Sequence, residues 1–414
     1  MLTSYRKESA LFDAYTINWL HLLARWFHII TGAAWIGTSF YFIWLNNSIR
    51  PPEAPEDEGE NVKGVVWSIH GGAFYRTTKY DGAPKTLPKT LHWFMWEAYL
   101  TWISGIALLA LIYWSQAHAY MVDPQIADIS TGAAVGIGVG VIVGGWVVYD
   151  VLCKTLWRHP KILATLGIMF LVGLAYGLTA LLSPRAAYIH VGAVIGTIMA
   201  ANVFFNIIPN QRKMVDAMMA GEKPDTSKGA AGALRSLHNN YLTLPVLFIM
   251  VSNHFPFTFG SEESWAVLVI ISVLGAATRH WFNLHGRGEN NAYILPGAAL
   301  GMIALALVMK PEPVAAPVVV ADAAPLWCDV EEVFQKRCTT CHSATPTQAG
   351  FPVAPLGMMM DTPEQIVAKK DPIYERTVVL KTMPIGNLTQ MTDNERQLVS
   401  DWYNSGAKTP KCTD

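Results

Sequence analysis

Charge is the scarcest commodity in this 414-residue chain: only 15 % of residues are Asp, Glu, Lys or Arg, where soluble domains run near about 25 %. The 30 basic and 31 acidic residues nearly cancel, and no basic block exists, which excludes a nucleic-acid-binding chain. Disorder is excluded as well, because 52 % of the residues are hydrophobic and 15 are Trp. Cysteine is sparse at five residues, with a single CxxC pair, so a zinc ribbon built from two such pairs is ruled out. A single soluble domain does not fit this composition either.

The apolar surplus lies before about residue 310, in eight stretches: 17–45, 91–114, 133–152, 162–182, 187–208, 241–255, 264–282 and 292–309. A bilayer core about 30 Å thick needs about 20 helical residues, and most of these stretches supply them. The first follows a mixed-charge leader (Arg6, Lys7, Glu8) and reads as a span rather than a cleaved signal peptide. The expected fold class is all-α, an eight-helix transmembrane bundle over residues 1–310. A Pro/Ala linker follows at 311–325, and then a small soluble domain at 326–414. Within the third stretch Gly132, Gly136, Gly140 and Gly144 fall four apart, which predicts a bare face for close helix contact.

Lys and Arg, from Arg50 through Arg287, collect in the loops after the odd-numbered stretches. The leader and the other loops hold only Arg6, Lys7 and Arg185. The positive-inside rule therefore places both termini on the outer, periplasmic face of a bacterial-type inner membrane, with the lipid bilayer as the first partner.

The strongest chemical signal is Cys338-Thr339-Thr340-Cys341-His342. CxxCH attaches c-type haem: two thiols capture the vinyl groups and the His is presented to the iron. Helices are predicted at 330–337 and 393–405, the latter capped by Thr392 and stopped by Gly406. Leu398 and Trp402, four apart, then face the first of the two. Two crossing terminal helices around one haem resemble a class I cytochrome c. The second iron ligand should be a thioether, and Met383, followed by Pro384, resembles the class I pattern. Met358, Met359, Met360 and Met391 are its competitors. Crossed terminal helices would bring Cys328 and Cys412 together, and an oxidising compartment permits a disulfide there. Cys153 is expected to be inert.

Polar groups inside apolar helices are costly and therefore informative. In the first stretch His21, Arg25, His28 and Gly32 form one stripe. His190 and His254 also belong to the outer half. His92, Glu97, Asn239, Asn240 and His280 lie at the inner edge, and Asn202, Asn206 and Asn210 stripe the fifth stretch.

The segments at 25–42 (RWFHIITGAAWIGTSFYF), 67–80 (WSIHGGAFYRTTKY), 91–97 (LHWFMWE), 202–210 (NVFFNIIPN) and 237–256 (LHNNYLTLPVLFIMVSNHFP), together with CTTCH and its Met-Pro loop, resemble the membrane-bound, cytochrome-c-linked urate oxidases. That resemblance implies oxidation of urate to 5-hydroxyisourate, with electrons passing to the covalent haem c and on to a downstream cytochrome c or terminal oxidase. Urate, a planar anion, needs a cation and amide donors, and hydroxylation by water needs a general base. Arg25, His28, His92, Glu97, Asn239, Asn240 and His280 are the candidates. A haem b held by His28 with His190 or His254 would relay electrons from an inner site. Urate bound beside Arg25 would need none. A quinol or other small-molecule oxidoreductase, and a non-catalytic electron-transfer module, are the other function classes the residues allow.

Overall fold

The computed structural model describes residues 14–310, 327–410 and 412, apart from 56, 57, 59, 60, 83, 262, 349, 350 and 352. The leader with Arg6, Lys7 and Glu8 and the linker at 311–325 lie outside the described residues.

Among the described residues ten α-helices precede the linker. They are α1 (Ala14–Ser48), α2 (Trp96–Leu108), α3 (Ala117–Tyr120), α4 (Thr131–Leu156), α5 (Pro160–Thr179), α6 (Pro184–Ala201), α7 (Ile208–Met219), α8 (Thr226–Ser252), α9 (Ser264–Gly286) and α10 (Ile294–Val308). A π turn, Leu109–Trp114, extends α2, and a second, Asn202–Ile207, joins α6 to α7 into one rod. Among the described residues six helices are long and apolar enough to cross a membrane: 19–48, 96–114, 131–156, 160–179, 184–219 and 264–286. α10 is apolar but only 15 residues long. α8 begins at Thr226, fifteen residues before the expected start of the sixth stretch, because its first half carries Arg235, His238, Asn239 and Asn240 and hides from a hydropathy reading. Ser and Asp caps at Ser130, Ser183 and Asp225 start α4, α6 and α8.

α6 is the axis of the bundle. Tyr188, His190, Val191, Val194, Ile195 and Ile198 are all buried, and α2, α4, α5 and α8 pack around them. The expected glycine face of α4 is not the one that packs. A Cβ on Gly132, Gly136, Gly140 or Gly144 would meet nothing within 4 Å, whereas one on Gly138 would stand 2.6 Å from His190 Nε2 and one on Gly145 2.6 Å from Val194. Seven residues make two nearly whole turns, so Gly138 and Gly145 share a face that a four-residue spacing drifts away from.

The all-α expectation is corrected by one hairpin between α1 and α2. β1 (Val62–His70) pairs antiparallel with β2 (Ala73–Tyr80), with Trp67 opposite Arg76 and Ile69 opposite Phe74. The Gly71-Gly72 turn takes positive φ at both residues, the geometry that a two-residue hairpin loop demands.

The C-terminal unit holds α11 (Trp327–Arg337), α12 (Pro363–Val367), α13 (Lys370–Tyr374) and α14 (Asp393–Asn404). Thr392 caps α14 in a capping box with Glu395, and Gly406 follows its end at positive φ. α11 crosses α14 through Trp327, Phe334 and Trp402, with ring centroids 5.6 Å apart for Trp327–Trp402 and 5.7 Å for Phe334–Trp402. Leu398 packs at the edge of the same core. Cys328 and Cys412 are bonded, their Cα atoms 5.6 Å apart across 84 residues. The unit rests on the loops that are poor in Lys and Arg. Gly386 lies against the carbonyls of Ala119 and Val122, and Gly260 lies against Leu380 and Thr382.

Candidate functional site

Where the C-terminal unit meets the bundle, a cavity of about 1190 Å³ opens between α1, α2, α6 and α8 on one side and the CxxCH segment on the other. Sites for a single small ligand run to about 1,000 Å³, so this space has room for more than one small molecule. Its walls carry Arg25, Arg185, Arg337, Lys369 and Arg376, and no Asp or Glu among the described residues. Arg337 is paired with Glu395, 2.9 Å away, and the other four stand over the cavity without a carboxylate beside them in its wall. Such a space selects anions.

On the bundle wall, Arg25 and His28 lie one turn apart on α1, with Gly32 a turn further along. His28 Nδ1 is 3.0 Å from the Thr101 carbonyl and 2.9 Å from Ser104 Oγ. The carbonyl only accepts, and the Ser104 hydroxyl already donates to Leu100 O at 2.7 Å, so Nδ1 carries the proton. Nε2 is thereby left with its lone pair, on a ring that lines the cavity. Gly105 makes the room, since a Cβ there would stand 3.1 Å from the His28 ring. His254, just past the end of α8, shares the wall, and His21 does not.

His190 is a different case. It is fully buried, its Nδ1 donates to Ala186 O at 2.8 Å, and its Nε2 accepts from Trp114 Nε1 at 3.2 Å. Both nitrogens are committed, so the expected pairing of His190 with His28 around an iron lacks its second ligand. The bare backbone of Gly138 is what admits this ring among the helices.

On the opposite wall stand Cys338, Cys341, His342 and Met383. Neither thiol is in a disulfide. His342 Nδ1 donates to Met358 O at 2.9 Å, which leaves Nε2 unprotonated. Met360 N–H bonds to His342 O at 2.8 Å, so Met358 and Met360 belong to the histidine's own side of the cavity. Met359 is exposed, and Met391 is buried in the core away from the wall. Met383 reaches the same wall from a separate segment. Its carbonyl accepts from Arg396 Nη1 at 2.7 Å, and its N–H donates to Arg376 O at 3.0 Å. Among the described residues no set of three or more His, Cys, Asp or Glu has metal-site geometry. Free thiols, a pre-set imidazole, one thioether and a carboxylate-free wall with Lys369 and Arg376 fit a covalent haem with its two propionates.

Around this wall, hydrogen bonds from Ser343 and the Ala344 N–H hold the Asp361 carboxyl below its ordinary pKa and pin the loop after the motif. Burial works against the Glu395 carboxylate, yet the Thr392 N–H and hydroxyl and the Arg337 guanidinium outweigh it and hold the pKa low.

The inner-edge candidates do not converge. Asn239 belongs to a network on α4, α6 and α8, where it accepts from Asn202 at 2.9 Å and donates to Met199 O at 2.9 Å. Asn202 also accepts from Arg235, which pairs with Asp150 at 2.7 Å, and Tyr149 joins Asn202 to His238. Asn240 sits in a second cluster with Arg279 and Asn283. His280 bonds Tyr241 at 2.6 Å on an exposed face. His92 stacks edge-on with Phe94, and neither it nor Glu97 reaches these clusters or the cavity. The Asp150–Arg235 pair escaped the sequence reading, although Asp150 is the one acid in an otherwise apolar run. Arg185, Asn253 and Tyr113 on the cavity wall were also missed.

A family model described as urate oxidase N-terminal matches residues 14–310. The chain belongs to that family. It is thus a urate-related oxidoreductase whose long apolar helices suit a membrane, and the match ends with α10, before the C-terminal unit. No curated protein and no solved structure matches the chain.

Proposed function

We propose that the chain oxidises urate to 5-hydroxyisourate in the outer cavity and passes the electrons directly to a haem c bound through Cys338 and Cys341. The observation that carries this reading is the continuity of one carboxylate-free cavity from Arg25 and His28 to Cys338, Cys341 and His342. In this reading α8 and α10 complete an eight-helix bundle in the inner membrane, and the C-terminal unit is a cytochrome c domain on the periplasmic side. Its seat on the loops poor in Lys and Arg supports that orientation.

Urate and water give 5-hydroxyisourate, two protons and two electrons. A haem bound here, held by Cys338 and Cys341 with His342 and Met383 available to its iron, would supply a one-electron acceptor, so each urate would need it to be reduced and reoxidised twice. Arg25 neutralises the substrate anion. His28 Nε2 takes the proton from the attacking water, and the imidazolium so formed is held by Thr101 O and Ser104 Oγ on its other nitrogen. The apolar lining from Ile29, Ile106 and Val246 limits the water in the well. Because substrate and acceptor share one cavity, no haem b is needed between them. A soluble cytochrome c or a terminal oxidase would be the onward partner of the C-terminal unit.

Anaerobic addition of urate to the purified oxidised protein is the test. The haem c spectrum should shift to the reduced form with urate and stay oxidised with quinol or unrelated purines. A haem that dithionite reduces and urate does not would overturn the reading. Pyridine haemochrome analysis should find one c-type haem per chain, and a stoichiometric b-type haem would reinstate the relay.

A further inference from the structure

At the rim of the cavity Arg185 is built into place from several sides. It follows Ser183, whose side chain caps α6 and whose hydroxyl donates to Tyr120 O at 2.6 Å. The Arg185 guanidinium lies over the Tyr120 ring, 5.7 Å from its centroid. Its Nε donates to Asn253 Oδ1 at 3.0 Å, and the Tyr113 hydroxyl donates to the same oxygen at 3.2 Å. An arginine only donates, so the amide must turn its oxygen to Arg185 and its Nδ2 away. Tyr113 owes its place to the π turn at Leu109–Trp114, a distortion that recurs at functional sites. Arg185, Asn253 and Tyr113 all line the cavity, and no carboxylate in its wall neutralises the guanidinium.

We propose that Arg185 and Asn253 are the specificity-determining hold on the substrate, binding the edge of the planar urate anion opposite to that held by Arg25. This rests on the urate-oxidation reading and deepens it. A delocalised heterocyclic anion presents neighbouring carbonyl oxygens and ring nitrogens along one edge. A guanidinium fork beside an amide N–H₂ matches that edge with parallel donors, which an ammonium cannot do. The arginine is already ordered by Tyr120 and Asn253, so little side-chain freedom is lost on binding. Its place also sets direction. The Tyr120–Val122 segment under Arg185 touches the Gly386 turn that follows Met383, so substrate held at the rim is presented to the C-terminal wall. The alternative anion is a haem carboxylate, but that wall already has Lys369 and Arg376, one cation for each propionate.

The test uses the full-length haem-loaded protein and two variants, Arg185→Lys and Asn253→Ala. Four quantities are measured: the Kd for radiolabelled urate, the KM and kcat for urate-driven haem reduction, and the haem midpoint potential without urate. Kd and KM should rise about tenfold or more in both variants, with kcat changed less than about threefold and the potential unmoved. An unchanged Kd overturns the proposal. A shifted potential with unchanged Kd overturns it too, and assigns Arg185 to a haem propionate. Should Arg185→Lys fail to fold, Asn253→Ala and Tyr113→Phe carry the same test, the latter with a smaller rise. A wild-type protein that binds urate without reducing its haem refutes the oxidation reading, and the Arg185 assignment then stands or falls on Kd alone. A wild-type protein that binds no urate overturns both.

Discussion

Two regions of the bundle hold the same kinds of side chain and treat them in opposite ways. In the half away from the C-terminal unit Arg235 faces Asp150, Asn202 faces Asn239 and Tyr149 faces His238. Most donors there have a partner, with Trp146 Nε1 and Asn283 Nδ2 the exceptions. In the half that meets the C-terminal unit Arg25, Arg185, His28 and His254 face an open cavity with no acid in its walls among the described residues. A satisfied polar network cements helices, because any departure strands a buried polar group. A wall of unspent donors with a free imidazole nitrogen can bind and react. The difference between scaffold and site thus lies in what each polar group still has to offer rather than in residue type.

The sharpest way to break this comparison is to remove one member from each side. His28→Ala should slow urate-driven haem reduction by about 10²–10⁴-fold, the usual contribution of a general base, while the thermal midpoint stays close to wild type. Stopped-flow reduction and a melting curve check both halves of that statement. A variant that keeps its rate would remove His28 from the chemistry. Asp150→Asn should do the reverse. It strands Arg235, which is buried at 5 % exposure, and should destabilise the protein by about 3–5 kcal/mol while folded molecules turn over normally. Pairing it with Arg235→Gln should restore part of the loss, and a double variant no better than the single would show that the ion pair does not hold α4 to α8.

How far the sequence reading reached follows the same divide. The apolar spans, the CxxCH motif, the Thr392 cap and the Trp402 contact were legible, because each rests on spacing along one segment. The Gly71-Gly72 turn between two strand-like runs was legible too, and was passed over inside a long loop. What could not be read was satisfaction across helices. His190 and His28 look alike in the sequence. Only the Trp114 and Ala186 partners of the one, and the open Nε2 of the other, separate packing from chemistry. The working face of α4 was likewise missed because the register of Gly138 against His190 is set by the partner helix.

A smaller effect concerns how firmly the C-terminal wall of the cavity is held. The Cys328–Cys412 bond closes a loop of 84 residues, which in the chain-entropy model stabilises the unit by up to about 4 kcal/mol. Replacing both cysteines by serine should lower the melting temperature of the C-terminal unit without moving that of the bundle. Mass analysis of the untreated protein should find the two residues linked. Two alkylatable thiols in the native protein would contradict the bond.

The smallest expected effect lies where a polar pair is neither sealed as in the inner network nor open as in the cavity. Arg337 and Glu395 are 2.9 Å apart and partly exposed, and Glu395 also closes the capping box of α14. Because its folded pKa is held below the ordinary glutamate value of 4.5, its contribution is complete above that value. It fades as pH falls through the lowered one. Glu395→Gln should therefore cost about 1 kcal/mol at neutral pH, the scale of one cap plus one screened ion pair, and the gap from wild type should close as the solution is acidified. Urea unfolding of the C-terminal unit at a series of pH values checks both the size and the sign. A gap that widened in acid would mean that the carboxyl is favoured in its protonated form, so that burial of the group, rather than Arg337, governs its titration.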